Sequence, residues 1–110
     1  EQHGYSRWLA IERSSGLPVG DAGLLYLPAT QEIELGYRVL QSHWGRGLAT
    51  EMAAAWVAQA FGPLGLTELI AFSHPDNLAS IRVMEKSGFR FLRHDQIAGM
   101  GVVVYHLFSA

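Results

Sequence analysis

Two glycines one residue apart, Gly45 and Gly47, stand where a strand-like run gives way to an alanine-rich segment, and this junction constrains the fold more than any other stretch. Glycine lets a backbone turn tightly and approach a ligand with no Cβ in the way. A helix starting there aims its unpaired N–H groups and the positive end of its dipole at whatever negative group lies in front. The junction reads either as an anion-binding turn fit for a diphosphate or as a plain strand-to-helix connection. Its flanks bear on the choice. Before it, residues 32–40 begin with strict alternation, Glu32 and Glu34 on one face and Ile33 and Leu35 on the other, the pattern of a half-buried strand. After it, residues 47–61 carry Leu48, Met52 and Trp56 beside Ala49, Ala53, Val57 and Ala60, with Thr50, Glu51 and Gln59 as the polar side chains. This predicts a largely buried helix, stopped at Gly62-Pro63. Residues 66–73 then form a short apolar strand. Strand, helix, strand in that order implies a right-handed crossover and parallel pairing.

The remaining elements follow the same rules. Residues 5–12 read as a strand ending in the turn Arg13-Ser14-Ser15-Gly16, and residues 18–27 as a second strand whose Gly20 and Gly23 mark a bulge or a close backbone approach. His74-Pro75-Asp76-Asn77 leads into a helix over 78–87, capped by Asp76 or Asn77 and stopped at Gly88. Residues 89–93 alternate as a strand. A loop holding Asp95, Gly99 and Gly101 precedes a final strand over 102–108.

Composition excludes several functions. A net charge of -2 argues against nucleic acid or an anionic membrane surface as partner, since both call for a basic excess. There is no cysteine, so no disulfide or zinc-thiolate staple is expected, and the histidines lack metal-ligand spacing. At 110 residues and 49% hydrophobic content the chain is expected to be a single ordered domain over 1–110, cytoplasmic by default.

Four blocks in order, Glu34-Leu35-Gly36-Tyr37, Trp44-Gly45-Arg46-Gly47-Leu48-Ala49-Thr50-Glu51, His74-Pro75-Asp76-Asn77-Leu78-Ala79-Ser80 and Val83-Met84-Glu85-Lys86-Ser87-Gly88-Phe89, resemble the GNAT N-acetyltransferase superfamily, specifically its RimJ/RimL branch. The resemblance implies an α/β fold with a central mixed β-sheet and flanking helices, splayed between the third and fourth strands present here. It implies acetyl-CoA as co-substrate in the splay, its diphosphate on Gly45, Arg46, Gly47, Leu48, Ala49 and Thr50, with Tyr37, Val39, Trp44, Asn77 and Ser80 also lining the site and no metal. Similar proteins begin with a further strand and two helices that help to wall the acceptor site. The reading therefore expects a segment ahead of Tyr5 to be absent from this numbering, and an uncovered first strand that makes the protein a homo-oligomer.

Acetyl transfer asks for a base, an oxyanion donor and help for the leaving thiolate. A lysine-like amine, with an ordinary pKa of about 10.4, must lose its proton before it can attack a thioester. Glu34, on the acidic position of the resembling block, is the preferred base, with Glu32 on the same strand face as the alternative. The family's usual oxyanion donor is a backbone N–H, here near Val39. Many members assist the thiolate with a helix tyrosine, but Met84 holds that position, which leaves Ser80, one turn earlier, as candidate; the competing reading of Ser80 is a local capping group. The function expected is acetyl transfer to a primary amine, and the rival is a CoA-binding assembly module without turnover.

Overall fold

The structure, a computed structural model, describes residues 7–11, 18–39 and 47–109. In chain order its elements are β1 (Arg7–Ile11), β2 (Pro18–Leu27), β3 (Glu32–Val39), α1 (Leu48–Phe61), β4 (Glu68–Ser73), α2 (Leu78–Lys86), β5 (Arg90–Ile97) and β6 (Met100–Phe108). Among the described residues these strands form one sheet in the order β1-β2-β3-β4-β6-β5. Only β3 and β4 pair in parallel, as the strand-helix-strand order requires; the other neighbours are antiparallel. This is the expected mixed α/β fold.

The alternation of β3 sorts the molecule into two faces. Leu35 sits opposite Leu24 of β2, and both join Leu69 and Ala71 of β4, Ala53 and Ala60 of α1, Met84 of α2 and Phe89 in a single buried cluster. Both helices therefore pack on the Ile33, Leu35, Tyr37 face. The opposite face holds a smaller cluster, Ile70, Val102 and Val104 with Leu27, Phe72, Leu92 and Ile97 around it, in which no described helix residue takes part.

Two expectations are corrected. Helix α1 is not largely buried: Ala53 and Ala60 are, but Ala54, Ala55, Ala58 and Gln59 are exposed, because a helix lying on one face of a sheet covers a single stripe and alanine is small enough to occur on either side. The strand over 89–93 continues to Ile97, and residues 94–97 are not a loop. A two-residue hairpin turn at Ala98 and Gly99, with φ of 51° and 79°, allows β5 and β6 to pair up to Ile97 opposite Met100. His94 and Asp95 thus lie inside β5. The polar sequence of β5 suits a sheet edge, where ladder bonds to β6 outweigh weak strand propensity.

Beside Leu92 the β5–β6 register slips: Phe91 faces Tyr105 and Arg93 faces Val104, so two steps on β5 match one on β6. Such a bulge moves the following side chains to the other face of the sheet. Arg93 is thereby aimed at the helix-free face.

Candidate active site

Among the described residues the parallel ladder has one register match, Glu34 opposite Ile70. Beyond it β3 continues to Val39, paired on its other side with Gly20 of β2, while β4 continues to Ser73 and pairs with Val103 of β6. Past this match, toward the carboxyl-terminal halves of β3 and β4, no further register match between the two strands is described. Because α1 follows β3 and α2 follows β4, both helices start at that end, the position where open α/β sheets take their ligands.

At α1 the helix begins at Gly47, a left-handed residue with φ of 74° that most side chains would strain to adopt. The first intrahelical bond runs from the Glu51 N–H to the Gly47 carbonyl at 3.0 Å. The N–H groups of Leu48, Ala49 and Thr50 precede it and have no acceptor within the helix. Among the described residues, a Cβ on Gly47 would meet nothing within 4 Å. Trp44, Gly45 and Arg46 lie outside the described residues.

At α2 the expected cap is Asn77, whose Oδ1 accepts the Ser80 N–H at 3.1 Å. Ser80 is thus the capped residue and does not cap the helix itself. Its hydroxyl lies 3.2 Å from the Tyr37 hydroxyl on β3, and Tyr37 donates to the Ser80 carbonyl oxygen at 3.0 Å. Burial pushes the Tyr37 hydroxyl above its ordinary pKa; the Ser80 bond pulls the other way, and the Glu34 charge adds to the rise. Met84, one turn on, is buried in the core.

The two candidate carboxylates share the helix-free face but differ in their surroundings. Glu34 is buried, at 9% exposure, beside the last parallel contact. Glu32 is gripped by Arg93, whose Nη2 donates to Oε1 at 2.8 Å and Nη1 to Oε2 at 3.2 Å, while its Nε donates to Asp95 at 3.0 Å. This fork holds the Glu32 carboxyl below its ordinary pKa, against the smaller opposing effect of burial, and holds Arg93 above its own. Neither glutamate is a free surface carboxylate. Arg93 was not legible as a site residue, because its reach to Glu32 depends on the Leu92 bulge.

Three other pairs of polar residues stand close together. Arg38 forks onto Asp21 at 2.7 and 3.3 Å, His74 Nδ1 accepts the Asp76 N–H at 3.2 Å, and His106 Nδ1 stands 3.5 Å from Glu68. Among the described residues no group of three or more metal-ligating side chains comes together, and no helix is long and apolar enough to cross a membrane.

A family model described as an acetyltransferase (GNAT) domain matches residues 1–90. The Bacillus subtilis protein YkkB is 30% identical over 105 residues, covering 94% of this chain and 61% of its own length. A second Bacillus subtilis protein, the N-acetyltransferase YoaA, is 33% identical over 85 residues, covering 76% of this chain and 48% of its own. The chain thus spans between about half and three fifths of these relatives. Among solved structures, an acetyltransferase from Agrobacterium tumefaciens superposes with a TM-score of 0.84 at 28% identity, over 96% of this chain and 62% of that one.

Proposed function

The chain belongs to the GNAT acetyltransferase family, and from that premise we propose that it is an N-acetyltransferase that passes the acetyl group of acetyl-CoA directly to a primary amine, in the manner of the RimJ/RimL branch. The observation that carries this reading is that β3 and β4 share one described register match, Glu34 opposite Ile70, with two helix amino ends beyond it. The diphosphate fits the N–H groups of Leu48 to Thr50, joined by Gly45, Arg46 and Trp44, and the pantetheine arm runs past the Tyr37–Ser80 contact, with Val39 and Asn77 beside it.

Glu34 is the base we assign, directly or through a water. A base must be able to give up the partners of its charged form, and Glu32 is committed to a two-bond fork from Arg93. The neutral amine attacks the thioester carbon, and the backbone N–H near Val39 stabilises the oxyanion. The carbon–sulfur bond then breaks, its electron pair goes to sulfur, and the Ser80 hydroxyl, turning from the Tyr37 oxygen, donates a hydrogen bond to the thiolate. Across the whole reaction two protons leave the nitrogen: Glu34 passes the first to solvent before the attack, and the second, lost as the tetrahedral intermediate collapses, ends on sulfur.

A panel of primary amines, including peptide N-termini and small polyamines, incubated with acetyl-CoA tests the reading by release of free CoA thiol. Amine-dependent release is the expected result. Protection of the protein against unfolding by CoA, with no release from any amine, would instead favour the binding-module reading.

A further inference from the structure

Resting on the reading above, a ligand that runs from the start of α1 toward the β3–β4 seam passes the far half of β3 and the first turn of α2. No described β3–β4 register match fixes the spacing there, since Tyr37 stands beyond Glu34 and Ile70. What spans the gap is Tyr37. A carbonyl oxygen can only accept, so the single Tyr37 proton goes to the Ser80 carbonyl. The Tyr37 oxygen is then left as acceptor, and the Ser80 hydroxyl at 3.2 Å donates to it. With Asn77 taking the Ser80 N–H, every polar group of Ser80 is engaged.

We propose that Tyr37 is a positioning residue, which through its bonds to the carbonyl and hydroxyl of Ser80 holds the first turn of α2 against β3 and so sets the width of the pantetheine slot before the ligand arrives. The consequence is specific to one half of CoA. The nucleotide half docks on α1, which Tyr37 does not hold, whereas the pantetheine half must pass beside the Tyr37–Ser80 contact. A buried hydroxyl that resists ionisation keeps the clamp in its donor form at neutral pH.

The test is calorimetric binding of two probes, CoA and its adenosine bisphosphate portion without pantetheine, to the wild type and to Tyr37→Phe, which keeps the ring and loses the hydroxyl. CoA affinity should fall about fivefold, the scale of one net hydrogen bond, while the bisphosphate binds unchanged. Ser80→Ala keeps the carbonyl that Tyr37 grips and should lose less CoA affinity than Tyr37→Phe. Equal weakening of both probes would mean general loosening and would overturn the proposal, as would no weakening of either. A wild type that binds neither probe would overturn the acetyl-CoA reading itself, a result distinct from a wild type that binds both and a Tyr37→Phe variant that matches it.

Discussion

Glu32 and Glu34 are two residues apart on one strand face, and Glu34 is the one beside the parallel match to β4. Arg93 fixes both oxygens of Glu32, so protonating Glu32 would cost charge-assisted bonds. Glu34→Gln should therefore lower the acetylation rate by about a hundredfold or more, most severely below the acceptor's own pKa and less as the amine deprotonates unaided, with CoA affinity close to wild type. Rate measured against pH checks this, and a loss that stays flat across pH would point to positioning instead. Glu32→Gln should leave the shape of the profile intact and act on stability. The sequence showed that the two carboxylates share a face, because alternation with Ile33 and Leu35 is a local property of the strand. It ranked Glu34 first only through the resembling block, because the residue that grips Glu32 is 61 positions away and reaches it only through a register slip.

At the scale of single elements, the caps carry the sequence signal most directly, and they can be tested one by one. Asn77→Ala removes the acceptor of the Ser80 N–H and should cost about 1 kcal/mol, read as a lower midpoint in thermal melting. At α1, a β-branched side chain is disfavoured at the positive φ of Gly47, and what it would enter is the space before the helix. Gly47→Val should therefore lose CoA binding and also melt earlier; calorimetry with CoA showing unchanged affinity would remove the diphosphate from this turn. The β5–β6 turn places Ala98 at a φ of 51°, where asparagine beside glycine is the favoured pair. Ala98→Asn should raise the melting midpoint by a few degrees, on the order of 0.5 to 1 kcal/mol. Such caps are legible because one residue and its near neighbours decide them. The true length of β5 was not, because its polar residues are held in a strand by β6, which the local pattern does not contain.

Considered whole, the described strands are two antiparallel sets, β1-β2-β3 and β4-β6-β5, joined along a parallel seam with one register match, Glu34 opposite Ile70. So short a match leaves few ladder bonds to hold the halves together, and other groups must tie them. On the helix face the shared core under α1 and α2 does so, with Tyr37 and Ser80 beside the slot. On the other face Arg93 of β5 reaches over β6 and β4 to Glu32 of β3, linking the far strand of one half to the near strand of the other. Glu32 and Asp95, both held below their ordinary pKa values chiefly by hydrogen bonds from Arg93, make this tie dependent on pH. A carboxyl with a depressed folded-state pKa contributes stability that is present above its unfolded-state value and is lost as pH falls through the folded one. Arg93→Met, which keeps an apolar stem but removes the fork, should then melt several degrees below wild type at about pH 7, corresponding to about 1 kcal/mol. The gap should narrow below about pH 4 and close as Glu32 and Asp95 become protonated. Melting curves of both proteins across that range decide the matter: a gap that persists undiminished in acid would assign the effect to the arginine stem packed on the sheet and leave the seam held by the helices alone.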